Sequence, residues 1–301
     1  MQINNDKILR KAARESRRYR AIQTWRIFSS TPMHKRLRLS LFLTGIWTLY
    51  LVIPAERVSV LLSCYLWFRY VDDVADGEYS NPFCKTLKQF IEAKRFFLRK
   101  LESGHIEEFD LQGVDSLMVL TYLKCLEWGF NVIPSMLKIL DAIAYDVERS
   151  EMDGAPAQRE IDDYFTLLDY PTVLETLRII GEKSIQTEDL KGFMDATRAR
   201  YNLRDFLRDI EMGIVNISAE DLEKYGIDIY ILKKARTLED LHRHIPFKIW
   251  FTDQMNRMKK YLEEGKGILK TKSAMPVTRL MLYVGFTLPC QKFAKKWERC
   301  S

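Results

Sequence analysis

Apolar residues return at intervals of three and four through much of this chain, and that period limits its fold more than any other feature. It runs through Leu117 to Trp128, Ile133 to Glu148, Ile161 to Leu168, Val173 to Glu182 and Asp189 to Met212. Such spacing lines up side chains on one face of an α-helix. No run alternates polar and apolar residues convincingly, although Ile227 to Leu232 is short and rich in β-formers. Pro134 and Pro171 stand where helices would start or break, and Gly213 where the last of these helices would stop. Residues 150–158 and 265–276 are the best loop candidates, and neither is long enough to separate domains. The expectation is an all-α protein, with a basic segment over 1–38 and a single helical domain over 39–301.

Within those helices lie two aspartate pairs of equal spacing, Asp72 with Asp76 and Asp205 with Asp209. Residues four apart sit one turn above each other, so each pair offers two carboxylates on one face. Mg²⁺ takes oxygen ligands and is commonly shared between one or two carboxylates and substrate phosphates. A diphosphate bridged by metal therefore suits the pattern. In a chain with 29% charged residues such spacing also arises by chance, and a solvated helix face is the plain alternative. The flanks of the first pair oppose that alternative. Tyr65, Leu66, Trp67, Phe68, Tyr70, Val71 and Val74 leave little polar face beyond the acids and Arg69, and carboxylates buried there would need partners.

At these residues the chain resembles the squalene and phytoene synthase family of head-to-head prenyl synthases. That family's first motif, approximately Arg-x-x-Asp-Asp-x-x-Asp, is matched by Arg69, Asp72, Asp73 and Asp76. Its second, approximately Leu-Arg-Asp-x-x-x-Asp-x-x-x-Gly, is matched by Leu203, Arg204, Asp205, Asp209 and Gly213. Weaker similarity runs from about residue 40 to residue 226, with Asp146 at the end of a central helix and Asp163-Tyr164-Phe165 opening a tyrosine-containing one. The resemblance implies an isoprenoid synthase-like helical bundle with a central cavity. It implies an enzyme that ionises farnesyl or geranylgeranyl diphosphate and joins two units head to head, giving a squalene- or phytoene-like product. Asp72, Asp76, Asp205 and Asp209 would be catalytic and hold Mg²⁺. Arg69, Asp73, Arg204, Arg208 and Asn202 would bind substrate, and Tyr164 would lie near the carbocation. NADPH would be needed only for a reduced product, and no dinucleotide fingerprint is present. The plainer readings are ion pairs for the arginines and packing for Tyr164.

Several positions depart from the family pattern. Arg198 and Tyr201 replace its usual Gln and Asn, Asp169-Tyr170 replaces a small Ala-Gly pair, and Gly213 to Ser218 lacks an expected arginine and tyrosine. Two other outcomes thus stay open: a class I terpene cyclase or another prenyltransferase using the same ionisation, and a noncatalytic assembly or membrane factor. Loss of the carboxylates would mark the last, and both pairs are present.

Charge is placed unevenly. Residues 1–38 hold eleven Lys or Arg against two acids, a balance of +9 in a chain whose total is +6, so the remainder carries −3. Such a leader can be a targeting peptide, a membrane-surface segment, a nucleic-acid-binding arm or a solvated helix. The membrane surface is preferred because Leu39 to Ala55 is so apolar, and no nucleic-acid partner is expected. That apolar stretch reads first as a core helix, being at the lower limit of the roughly 17 to 25 residues of a membrane span. The 12% aromatic content suits a prenyl cavity or ordinary packing. Cys64, Cys84, Cys125, Cys290 and Cys300 form no Cys-x-x-Cys pair, which points to a reducing setting, and with the basic leader the expected location is cytoplasmic, peripheral at a membrane surface. His242 and His244 read as surface residues.

Overall fold

The structure is a computed structural model that describes residues 2–30, 49–77, 79, 86–105, 113–152 and 154–298. Helices dominate it, and no strand occurs among the described residues. The chain divides into two compact units, residues 1–143 with 175–181 and residues 144–174 with 182–301.

The first unit holds α1 (Gln2–Ser30), α2 (Ala55–Ala75), α3 (Leu87–Glu102) and α4 (Asp115–Glu127). It also contains most of α5 (Ile133–Ser150) and the end of α6 (Gln158–Ile180). Helix α4 is buried from Ser116 to Leu123 and again at Cys125, so α1 and α2 both pack against it. Burial of aliphatic side chains at this depth contributes roughly 1.5–3 kcal/mol each. Trp67 of α2 lies fully inside and donates its indole N–H to Asp115 Oδ1 at 2.9 Å, a carboxylate that also receives Lys94 Nζ at 2.8 Å. These partners satisfy the polar edge of an otherwise apolar core. The basic segment is helical over α1, with Ala12, Ser16 and Gln23 buried and Arg20 Nη1 bonded to Ser59 O at 2.9 Å.

The second unit is built on α7 (Lys191–Glu211) and α11 (Ile245–Thr271). Shorter helices α8 (Ala219–Tyr225), α9 (Ile229–Lys234) and α10 (Leu238–Arg243) connect them, and α12 (Pro276–Leu282), a π-helical turn and α13 (Leu288–Glu298) follow. Helices α7 and α11 pack directly on each other where glycine meets glycine. A Cβ on Gly192 would fall 2.5 Å from Gly265 N and 2.6 Å from Tyr261 O. Beyond the crossing, Phe206 packs on Phe247 and Trp250 with ring centroids 5.1 and 5.8 Å apart.

Several expectations are corrected. Pro171 does not divide two helices: α6 runs through it, losing one backbone donor. Residues 265–271 are helical rather than loop, because Gly265 serves close approach to Phe193 instead of a turn. Residues 229–232, though rich in β-formers, are helical like the rest and belong to α9, whose first turn is capped by Asp228 accepting from Tyr230 N at 2.8 Å. Of the apolar stretch at 39–55, residues 39–48 lie outside the described residues, and 49–51 form a 3₁₀ turn with Leu51 and Val52 exposed. His242, expected at the surface, stacks on Trp297 at 5.2 Å.

The glycine crossing yields a direct expectation. Gly192→Ala should destabilise the chain by at least about 2 kcal/mol, since the clash is with backbone that cannot rotate away. Urea unfolding would measure it, and Gly267→Ala, with open space at its Cβ, should lack that penalty.

Candidate active site

In the first unit the aspartates cluster at the end of α2. Asp72 is half-exposed, Asp76 caps the helix in the open, and Asp73 is buried. Arg69 spans two of them, with Nη1 3.1 Å from Asp72 and Nη2 2.6 Å from Asp73. The helix thus sorts the motif: Asp72 and Asp76 share the accessible face, while Asp73 is held inward by the guanidinium one turn before it.

In the second unit α7 carries Asn202, Arg204, Asp205, Arg208 and Asp209. Arg204 grips Asp205 through two hydrogen bonds, Nε to Oδ1 at 2.7 Å and Nη2 to Oδ2. Below them the helix ends in a Schellman turn, with Gly213 N bonded to Ile210 O at 3.1 Å and Ile214 N to Asp209 O at 2.7 Å. Gly213 takes φ +82°, and a Cβ there would also meet Ser150 O at 2.8 Å. That close approach brings the end of α5 beside the end of α7. Asn216, on the strand of chain leaving the turn, donates to Asp209 Oδ2 at 2.7 Å and accepts from Arg149 Nη2 at 3.0 Å. Arg149 also bonds Asp146 Oδ1 at 3.0 Å, and Tyr164 donates its hydroxyl to the other oxygen of Asp146.

The charge balance of this cluster explains its titration. Burial, followed by repulsion from Asp205, pushes the Asp209 carboxyl up to about 7, Asp146 adding to the effect and the Asn216 bond opposing it. Tyr164 is raised well above the ordinary phenol value by burial and then by Asp146. Its ring has the Arg149 and Arg198 guanidinium carbons 4.8 and 5.7 Å from the centroid.

A cavity of about 330 Å³ in the second unit has a polar lining that includes Asp162, Asp169, Asp195, Arg198, Asn202 and Asn216. Two departures from the family pattern meet here. Arg198 Nε donates to Asp169 Oδ2 at 2.7 Å, and Nη2 to Oδ1, with both side chains largely buried. Each charge would be costly alone, and together they satisfy each other.

No protein-family model matches the chain, and no curated protein matches it. A solved structure does: the crystal structure of a dehydrosqualene synthase in complex with ligand aligns over 95% of this chain and 87% of that one, with TM-score 0.64 and 14% identity. The fold is that of the isoprenoid synthases. The likeness extends to helical architecture, and the chemistry rests on the residues above.

Those residues suit a hard cation. Among the described residues no group of three or more His, Cys, Asp or Glu could hold a metal, so a metal would need further oxygen ligands from a substrate, as Mg²⁺ commonly does. Asp209, partly buried beside Asp205, keeps a proton to near neutrality, which a divalent cation would displace. Arg149 and Asn216 were not singled out from the sequence as site residues. The i, i+3 spacing of Arg149 from Asp146 was the available signal for the first, and position after Gly213 for the second.

Two measurements follow. Arg198→Gln should cost about 3 kcal/mol by leaving Asp169 unpaired, while Arg198→Gln with Asp169→Ala should recover most of it in a double-mutant cycle. For Asp209 the folded carboxyl is raised above its unfolded value, so between about pH 4 and pH 7 only the folded chain holds that proton. Stability therefore falls as pH rises through this window. Without metal, Asp209→Asn should match the parent in urea midpoint near pH 4 and exceed it at pH 8.

Proposed function

We propose that this chain is a Mg²⁺-dependent enzyme that ionises a prenyl diphosphate, and that its first-choice reaction joins two farnesyl or geranylgeranyl units head to head. The observation that carries the reading is the partly buried Asp205–Asp209 pair on one face of α7, whose mutual repulsion a divalent cation would relieve. The isoprenoid synthase fold and the second carboxylate pair, Asp72 with Asp76, support it.

Asp205 and Asp209, and separately Asp72 and Asp76, are the proposed metal ligands. Mg²⁺ bound there would supply Lewis-acid neutralisation of the departing diphosphate. Arg204 and Arg69 already lie against the aspartates, so their guanidinium groups are placed to exchange a carboxylate for a phosphate oxygen. Arg208 and Asn202 complete the proposed substrate contacts, and Asp73, buried against Arg69, would act only by holding that guanidinium. Tyr164 enters mainly as the group that holds Asp146, because cationic side chains already attend its ring. NADPH belongs to this reading only if the product is reduced. A cytoplasmic or membrane-surface setting accompanies it, and no described helix is long and apolar enough to cross a membrane.

One observation favours a second reading. The Arg198–Asp169 pair makes the cavity of the second unit polar where an isoprenoid tail would want apolar walls. Ionisation followed by cyclisation, or by transfer to a polar acceptor, accommodates that lining better.

Incubation with Mg²⁺ and farnesyl or geranylgeranyl diphosphate, with and without NADPH, tests both. Diphosphate release is expected, and a doubled carbon skeleton selects head-to-head joining over a cyclic, alcohol or acceptor-linked product. Asp72→Ala or Asp205→Ala should lower turnover by about 10²–10³-fold or more. Absence of release from every chain length would leave the noncatalytic reading.

A further inference from the structure

Helix α1 has two distinct faces. Ala12, Ser16 and Gln23 point into the first unit. Lys7, Arg10, Lys11, Arg14, Arg17 and Arg18 are exposed, and their spacing of three and four places all six on one side of the helix. Glu15 is the only acid of the segment 7–25, and it lies at the edge of that side rather than within it. Six cations aligned in this way repel each other, which a helix tolerates in water but gains nothing from.

The same side continues into apolar residues. Ile22 and Trp25 follow Arg18 at helical spacing and are 43% and 75% exposed. A second exposed apolar pair, Leu51 and Val52 at 84% and 65%, sits on the 3₁₀ turn before α2. The turn and the helix are tied to one point: Arg20 Nη1 donates to Ser59 O at 2.9 Å, and Tyr50 OH lies 3.1 Å from Ser59 Oγ. Arg20 projects from the packed side of α1, so these bonds set the exposed turn beside the helix near the level of Ile22 and Trp25.

We propose that this surface docks on an anionic lipid bilayer, with Arg14, Arg17 and Arg18 at the headgroups and Ile22, Trp25, Leu51 and Val52 entering the interface. Lys and Arg can keep their heads among phosphates while their stems lie on apolar surface, and Trp is favoured at the headgroup level. Anionic lipid attracts each such cation by about 1 kcal/mol, and the apolar tip adds a contribution that salt does not screen. A nucleic acid would satisfy the stripe but offers no apolar medium to Ile22, Leu51 or Val52, so lipid fits the whole surface. The proposal does not rest on the diphosphate reading, and its failure leaves that reading untouched.

The full chain is tested by co-sedimentation with vesicles of phosphatidylcholine alone and with about one-third phosphatidylglycerol. Binding to the anionic vesicles, little to the neutral ones, and strong weakening at about 0.5 M NaCl are expected. Arg14→Glu with Arg17→Glu and Arg18→Glu should weaken binding by roughly a hundredfold. Trp25→Ser with Leu51→Ser should weaken it about tenfold and abolish the lipid-induced blue shift of tryptophan emission. All five positions are solvent-facing, so melting temperature and far-UV circular dichroism should hold and certify folding. Equal binding by the charge-reversed variant, no binding to anionic vesicles at low salt, or displacement from vesicles by an RNA competitor of equal charge would overturn the proposal.

Discussion

Helices α7 and α11 can touch only because neither carries a side chain where they cross. With Gly192 against the backbone of Gly265 and Tyr261, the aromatic residues farther along α7 reach Phe247 and Trp250 and close the core of the second unit. Packing of one side of α7 fixes its rotation, and rotation decides where Asp205 and Asp209 point. A helix free to roll by even one residue's angle would carry those carboxylates out of reach of Asn216. The site is thus set by a contact made on the far side of the helix that bears it.

A second close approach does the local work. The Schellman turn at Gly213 ends α7 and at the same time lets the chain pass Ser150. Through it, Arg149 and Asp146 come to share partners with Asp209 although they are some sixty residues away in sequence. The cluster holds three acids near one another, with Arg149 and Arg204 in direct contact with two of them and Arg208 close enough to favour the charged form of Asp209. Low-dielectric surroundings magnify the repulsion between Asp205 and Asp209, and the neutral amide of Asn216 bridges the two halves while only partly opposing it.

The helical class and the motif-bearing helices could be read from the sequence because burial imposes a period on the residues themselves. Gly213 as a stop was legible for the same reason, since a positive φ selects glycine. Gly265 was misread as loop: a glycine needed for helix contact and one needed for a turn look alike until the partner helix is known. Pro171 misled in the opposite sense, because surrounding packing offsets the lost hydrogen bond. At the site, the pairing of Arg198 with Asp169 was invisible as a pair, as each looked only like a departure from pattern. Long-range partners of this kind leave no local spacing to detect. The aromatic content, which suited either a cavity or a core, includes the Phe206, Phe247 and Trp250 cluster that builds the core of the second unit.

The sorting of the first motif by α2 changes how its letters should be weighed. Three aspartates that look interchangeable in writing are of two physical kinds, because Asp73 is enclosed and clasped by Arg69 whereas Asp72 and Asp76 look outward. Among distant relatives, Asp73 and Arg69 would then be constrained as a couple by folding and would change together. Asp72 and Asp76 would answer to a ligand instead, and a lineage that abandoned chemistry could lose them while keeping the inner couple intact.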